Sequence, residues 1–285
     1  MNNDINVKLT FDEYKKEIDT LIATKQIDKF KLQENYFDIC NNFWIVDKYI
    51  AKDGVFDPQM TPNTLSTYKK AIKENYAILI PVQMLDDENI VCFGHQNLSK
   101  VIDGADGYLR KLSLKELKEI HLNKENETIP TLDEALEFIA NKTEIIIEII
   151  NDSTTEKFEN KILQSLQKYI EKFDCYNRVA IMSINPYSLE YCYETYPYIT
   201  RILKSGNFTE KMYGSFKTKK LKKLKYYKIT HADFISYSFE LLPSSVVEKY
   251  KPVGVLAHTV TNPNQYPPIA EHCDNIIFSN FKPSI

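Results

Sequence analysis

Glycine is scarce in this chain, with seven in 285 residues, and tryptophan occurs once. No two glycines are adjacent, and the sequence contains neither a glycine-rich phosphate loop nor a Gly-x-Ser-x-Gly turn for a nucleophilic serine. No apolar run approaches the ~20 residues that a membrane-spanning helix needs. These absences argue against a P-loop enzyme, a serine hydrolase of that type and a transmembrane protein.

Cysteine is also infrequent, since the five residues are widely scattered and none forms a Cys-x-x-Cys pair. An odd number of isolated thiols fits a reducing compartment better than a disulfide framework. The amino-terminal residues show no basic start and no apolar stretch, so we expect no signal peptide and a cytoplasmic location. The 36 Lys and Arg residues nearly balance 39 Asp and Glu residues, which gives no electrostatic reason to expect a nucleic-acid partner.

From residue 43 onward, short β-branched runs alternate with longer amphipathic segments. Repeated strand–helix units predict a parallel sheet, and eight of them favour a closed (β/α)8 TIM barrel of the α/β class over an open sheet. The predicted strands are 43–47, 77–84, 144–150, 178–183, 198–203, 233–237, 253–259 and 275–279. The predicted helices are 63–75, 131–141, 154–173, 187–194, 208–224, 240–249 and 265–271.

Two regions depart from this alternation. Residues 77–95 predict a hairpin, because the connector 86–89 is too short for a crossover helix, and an insertion then follows to residue 120. Residues 1–42 predict a helical extension, because Thr10 and Glu13 form a capping-box pattern ahead of apolar residues at helical spacing. We therefore expect an N-terminal helical extension over residues 1–42 and a barrel domain over residues 43–285.

Glu148 interrupts the apolar run 144–150, where a carboxylate on a buried strand is costly unless it has a partner or a function. The segment Ile129-Pro-Thr-Leu-Asp-Glu-Ala-Leu136 precedes it. In this order the two segments resemble the glycerophosphodiester phosphodiesterase family. In that family a Pro-Thr-Leu helix leads into a strand that carries a metal-binding Glu and, two residues later, a phosphate-binding Lys.

Further segments resemble the same family in the same order along the chain. They are Pro62-Asn-Thr64, His95-Gln96, Arg178-Val-Ala-Ile-Met-Ser183, His258-Thr-Val-Thr261 and Cys273-Asp-Asn-Ile-Ile-Phe-Ser-Asn280. The chain is thus identified as a diverged member of this family over about residues 43 to 283. The resemblance implies a TIM barrel of the phospholipase-C-like phosphodiesterase type, with its site at the carboxyl-terminal ends of the strands.

The resemblance also implies that most of the metal site is lost. Family members hold a divalent cation with a Glu-x-Asp pair on the second strand and a later Glu. These positions fall on Ile80, Val82 and Glu148, so only Glu148 remains as a residual metal-ligand position, and Ile150 stands at the phosphate-binding Lys. Because Mg²⁺ and Ca²⁺ need several oxygen ligands, no cofactor is expected unless the site has been rebuilt.

The other site residues are assigned by the same resemblance. The two acid–base positions fall on His95 and Asp47, and the substrate-binding positions on Lys48, Ser183, His258 and Asn280. Simpler interpretations remain open: His95 is a solvated loop residue or an ion-pair partner of Asp47, and Glu148 pairs with Lys48. Alternatively, Asp47 and Glu148 form a relocated carboxylate pair that binds a metal weakly.

Three functions follow from these assignments. The first is a degenerate, non-hydrolytic member that binds a glycerol-phosphate-type ligand or another phosphorylated polyol. The second is an active phosphoric diester hydrolase that acts on a glycerophosphodiester with a rebuilt Mg²⁺ or Ca²⁺ site. The third is a scaffold with a protein partner in lipid or envelope-polymer metabolism. Because one fold serves many functions, the barrel alone does not choose among them.

Overall fold

The computed structural model describes residues 44–55, 60–100, 107–122, 127–150, 156–207, 214–250 and 253–283. The chain divides into two compact units, Met1–Trp44 and Ile45–Ile285. The helical extension predicted for residues 1–42 lies outside the described residues. None of the helices in the described ranges is both long enough and apolar enough to cross a membrane.

Within the described residues of the second unit, eight parallel strands close into a barrel, as the sequence predicted. Each strand pairs with the next in chain order, and the last strand pairs with the first to complete the circle. A ninth strand, β3, pairs antiparallel with β2 and forms the predicted hairpin. The strands are β1 Ile50–Lys52, β2 Ala77–Met84, β3 Ile90–Cys92, β4 Ile145–Ile149, β5 Val179–Ser183, β6 Thr200–Ser205, β7 Phe234–Ser238, β8 Gly254–Val260 and β9 Asn275–Phe278.

Helices surround the barrel and begin at residues that cap them. The Thr131 hydroxyl accepts a hydrogen bond from the Glu134 backbone N–H at the start of α4, and Asn185 caps α6 in the same manner. The α-helices are α1 Trp44–Asp47, α2 Leu65–Lys73, α3 Leu114–Lys118, α4 Leu132–Ile139, α5 Lys157–Phe173, α6 Pro186–Thr195, α7 Ser215–Lys222, α8 Tyr227–Thr230 and α9 Ser245–Glu248. Short 3₁₀ turns occur at Leu98–Lys100, Leu109–Lys111, Phe239–Leu241, Pro263–Gln265 and Pro267–His272.

The two faces of the barrel strands are distinguished by their packing. On β2, the side chains of Ile78, Ile80 and Val82 pack with the helix layer in one large apolar cluster. Because successive side chains on a strand point to opposite faces, Leu79, Pro81 and Gln83 face the barrel interior. The same alternation identifies the interior residues of the other strands, and it decides which side chains reach the functional site.

One predicted strand is wrong. Residues 44–47 form the short helix α1, and the first barrel strand is β1, which begins at Ile50. Ile50 and Ala51 are fully buried and pair in register with Ala77 and Ile78. A run of four to five apolar residues fits either a helix or a strand, so composition alone did not locate β1.

Candidate functional site

Four charged side chains meet at the carboxyl-terminal ends of the barrel strands, which we call the mouth. Lys52 ends β1, Asp53 follows it, Glu148 lies near the end of β4, and Lys204 lies near the end of β6. Lys204 donates to the Glu148 carboxylate in a close ion pair, and the Lys52 ammonium lies 2.5 Å from Asp53 Oδ2. The two positive and two negative charges balance formally.

The Lys52–Asp53 turn is held by contacts with β2, with Asn63 and with the start of α2. Asp53 has a positive φ of 64°, its Oδ1 accepts from Asn63 Nδ2 at 2.9 Å, and its backbone N–H donates to the Leu79 carbonyl at 2.9 Å. Gly54 follows with φ +82° and lies so close to Thr67 that an added Cβ would meet Thr67 atoms at 2.6–2.8 Å. The backbone therefore fixes the position of both charged residues.

Both ion pairs are largely buried, which strengthens the electrostatic interactions among their charges. The exposed fraction of the side chain is 3% for Glu148 and 15% for Lys204, so both charges are largely removed from water. Burial by itself would lower the pKa of Lys52, but the carboxylates of Asp53 and Glu148 outweigh it and raise that pKa above its usual value. Lys52 is therefore positively charged, and its field reaches Glu148.

A divalent cation does not fit the residues at the mouth. The interior positions of β2 beside Glu148 are Leu79 and Pro81, and Pro81 pairs in register with Glu148. Glu148 is bonded to Lys204, and Asp53 is bonded to Lys52 and Asn63. Across the described ranges, no three His, Cys, Asp or Glu side chains are grouped as a metal site would require. A hard cation needs several free oxygen ligands, and two positive charges already occupy this region.

His258 occupies the β7–β8 side of the interior. It is 8% exposed, and its Nδ1 and Nε2 lie 2.8 Å from Ser236 Oγ and 3.4 Å from Ser238 Oγ. Burial, and then the ammonium groups of Lys204 and Lys52, hold the pKa of His258 well below its usual range. The ring is therefore neutral at pH 7, and both of its nitrogens contact serine hydroxyls.

The depressed pKa of His258 predicts a loss of stability in mild acid. The unfolded chain binds a proton near the usual pKa of ~6.5, whereas the folded chain does not, so stability decreases as the pH falls through 6.5. Between pH 7.5 and 5.5 this single residue is expected to cost about 1.4 kcal/mol. We expect urea unfolding at the two pH values to show that difference between wild type and His258→Gln. Equal pH dependence of the two proteins would contradict the assignment.

His95 lies at the rim beyond β3. Burial, and then the positive charge of Lys52, lower the pKa of His95 below its usual value, which places the imidazole near the mouth. Its backbone carbonyl accepts from Gln83 Nε2 at 2.7 Å, and the same nitrogen donates to the Phe93 carbonyl at 2.9 Å. Gln83 is fully buried on the interior face of β2 and thereby holds the His95 segment over the mouth.

The expectations for Asp47 and Lys48 are wrong, because both residues precede β1 and lie at the opposite end of the barrel. Lys48 Nζ lies 2.6 Å from Glu144 Oε2 and 3.0 Å from Thr143 Oγ1, before β4 begins. Glu144 is four residues from Glu148, or about 13 Å along the strand. The predicted pairing of Lys48 with Glu148 and the relocated pair of Asp47 with Glu148 are therefore excluded.

The remaining predicted residues divide between the two faces. Ser183 ends β5 but shares the helix-facing side with Ile181, and its hydroxyl accepts from the Asn185 backbone N–H at 3.0 Å. It does not line the mouth. Asn280 is exposed just after β9, with a φ of 66°, at the rim. Glu148, His258 and His95 are thus the predicted residues that the structure brings together with Lys52, Asp53 and Lys204.

The two metal-ligand positions that the family resemblance assigned to β2 are off by one residue. Ile80 and Val82 face the helices, and the interior residues are Leu79 and Pro81. A shift of one residue exchanges the two faces of a strand. Neither Leu79 nor Pro81 carries a carboxylate.

Sequence reasoning missed Lys52, Asp53 and Lys204. A usable signal existed for the first two, because the apolar pair Ile50-Ala51 is followed by two charged residues, Lys52 and Asp53, and then by Gly54. Lys204 lies in the run Ile202-Leu203-Lys204, but nothing in the sequence indicates that its partner is 56 residues away.

Comparisons with known proteins agree with the barrel fold. The model of the glycerophosphoryl diester phosphodiesterase family matches residues 56–271. A putative glycerophosphoryl diester phosphodiesterase from Silicibacter pomeroyi superposes with a TM-score of 0.67 at 15% identity, covering 81% of this chain and 89% of that one. A phosphodiesterase from Oleispira antarctica, in complex with the product sn-glycerol-3-phosphate, gives a TM-score of 0.66 at 21% identity, covering 83% and 94%. A search of curated proteins finds no match.

Proposed function

Because the chain belongs to the glycerophosphoryl diester phosphodiesterase family, we propose that its mouth binds a small phosphorylated polyol without a metal ion. The observation that carries the proposal is the pair of ammonium groups, Lys52 and Lys204, on either side of Glu148. They provide fixed positive charge in the place where a cation would otherwise neutralise a bound phosphate.

The ammonium groups of Lys52 and Lys204 can donate further hydrogen bonds to a ligand. Each carries three N–H groups, and in the described part of the chain each donates to a single carboxylate. Their side chains are 25% and 15% exposed, so solvent reaches both. A phosphate oxygen can therefore accept hydrogen bonds from both lysines while the carboxylates keep theirs.

The polyol part of the ligand would meet a neutral, polar wall. The Ser236 and Ser238 hydroxyls and the uncharged His258 ring supply donors and acceptors for hydroxyl groups. Asn280 lies at the rim, where its amide is available to the same ligand. The Oleispira antarctica phosphodiesterase binds the product sn-glycerol-3-phosphate, which suggests glycerol 3-phosphate as the first ligand to test.

Efficient hydrolysis is not expected of this site. His95 is the single imidazole in the described mouth whose ring nitrogens are not bonded to serine hydroxyls, and one general acid is typically worth ~10²–10⁴-fold. That gain is small beside the total acceleration that phosphodiester cleavage requires. We propose that His95 remains as a ligand contact.

Calorimetry with glycerol 3-phosphate tests the proposal. We expect binding by the wild-type protein, no binding of glycerol, and about tenfold weaker binding by Lys52→Gln, because a charge-assisted hydrogen bond is lost. Lys69→Gln, an exposed lysine on α2, is the matched control and should bind like wild type.

Hydrolysis assays with glycerophosphodiesters and Mg²⁺, Mn²⁺ or Ca²⁺ distinguish the alternatives. If the wild-type protein releases an alcohol in a metal-dependent manner, and His95→Ala abolishes that release, the protein is an active enzyme and the proposal is overturned. A protein that neither binds the ligand nor turns over any diester would instead favour a scaffold role.

A further inference from the structure

The segment between β3 and β4 places two more cations beside the mouth. Lys100 ends the turn Leu98–Lys100, and Arg110 lies in the turn Leu109–Lys111. The two turns are tied together by hydrogen bonds from Leu98 N to Gly107 O at 3.1 Å and from Leu109 N to Gln96 O at 3.0 Å. Because Gln96 follows His95 directly, this small unit adjoins the His95 rim.

Arg110 is positioned on the end of β4. Its Nη2 donates to the Ile150 carbonyl at 2.9 Å, two residues beyond Glu148. Two residues correspond to about 7 Å along a strand, so the guanidinium is near the Lys204–Glu148 pair yet distinct from it. The side chain is half-buried, which limits its freedom before any ligand arrives.

The guanidinium of Arg110 has hydrogen-bond donors available for a ligand. Among the described residues, no carboxylate pairs with Arg110 or with Lys100. A guanidinium has five N–H donors, and the Ile150 carbonyl accepts one of them. The charges of the mouth itself cancel between Lys52 and Asp53 and between Lys204 and Glu148. Arg110 therefore offers further hydrogen-bond donors beside a mouth whose own charges cancel.

The electric fields of both sets of cations act on His95. Lys52 and Lys100 both act to lower the pKa of its imidazole, which places it within the field of each. A neutral imidazole offers one donor and one acceptor, and it costs less to cover with a ligand than a charged one.

We propose that Arg110, with Lys100 and His95, forms a second oxyanion subsite at the β3–β4 rim, and that the natural ligand carries two phosphate groups. This inference rests on the proposed function, in which the first phosphate lies at Lys52 and Lys204. The ligand class is a polyol bisphosphate or a short polyol-phosphate oligomer, whose neighbouring phosphates can reach both subsites. The planar guanidinium of Arg110 can donate two parallel hydrogen bonds to one phosphate. The ammonium group of a lysine acts as a point charge and lacks this geometry.

Calorimetry with two ligands and four proteins, the wild type and three variants, tests this subsite. Calorimetry should show glycerol 1,3-bisphosphate binding to wild type about tenfold more tightly than glycerol 3-phosphate. Arg110→Gln should abolish that gain and leave glycerol 3-phosphate affinity unchanged, and Arg110→Lys should recover part of it. Lys111→Gln, in the same turn and exposed, is the matched control and should keep the full gain.

The outcomes separate this inference from the proposed function. If wild type binds both ligands equally, or if Arg110→Gln keeps the gain, the subsite is overturned while binding at Lys52 and Lys204 stands. Arg110→Gln could lose the gain in affinity and also melt at a lower temperature, while Lys111→Gln does not. In that case Arg110→Lys decides between two explanations. Recovery of the gain by Arg110→Lys supports anion binding, and no recovery assigns Arg110 a purely structural role. If neither ligand binds, both proposals fail.

Discussion

Replacing Lys204 with methionine is expected to lower the free energy of unfolding by about 3–5 kcal/mol. The reason is that Glu148 would keep its burial and lose the positive group that compensates it, since its side chain is 3% exposed and bonded to Lys204. Methionine preserves most of the lysine volume, so the loss reports the charge and not a cavity. Urea unfolding monitored by circular dichroism gives the measurement.

Removing both members of the pair provides the control. The double variant Lys204→Met with Glu148→Leu is expected to recover most of the lost stability, because no uncompensated charge remains in the barrel. Lys223→Met, an exposed lysine just after α7, should change stability by no more than about 0.5 kcal/mol. A Lys204→Met protein as stable as wild type would show that the two side chains are not paired in solution.

The substitution Gly54→Ala is expected to be the second strongly destabilising change, at about 2–5 kcal/mol. The residue has φ +82°, which L-residues adopt at a cost of ~1–2 kcal/mol, and the new Cβ would meet Thr67 backbone and side-chain atoms at 2.6–2.8 Å. Because Gly54 follows Lys52 and Asp53, glycerol 3-phosphate binding should weaken as well. Thermal unfolding and calorimetry measure the two effects.

Gly214 offers a matched comparison for this change. It has a similar φ of +72°, but no heavy atom lies within 4 Å of the position that an added Cβ would take. Gly214→Ala is therefore expected to cost about 1–2 kcal/mol, which is the backbone cost without the steric clash. Equal losses in the two variants would mean that the packing of Gly54 against Thr67 is not important.

The sequence predicted most of the barrel because hydrophobic pattern and turn residues act locally. The runs 145–149 and 234–238 both lie within or beside predicted strands, and the short polar connector 86–89 correctly indicated the β2–β3 hairpin. The count of eight strand–helix units favoured a closed barrel over an open sheet, and the family resemblance implied the same fold.

The predictions failed where the outcome depends on long-range pairing. β1 has three residues, and the apolar residues before it form α1 instead, so its place depends on pairing with β2 and β9. That error moved the expected site residues from Lys52 and Asp53 to Asp47 and Lys48. The partner of Glu148 depends on the fold bringing β4 and β6 close, which no local pattern encodes.

The dependence of ligand binding on divalent cations tests the central claim most directly. In this account, ammonium groups take the role of a cation at the mouth. We therefore predict that calorimetry in EDTA and in excess Mg²⁺ or Ca²⁺ gives the same dissociation constant for glycerol 3-phosphate within about twofold, a difference below ~0.5 kcal/mol. An affinity that rises tenfold or more with either ion would contradict the account.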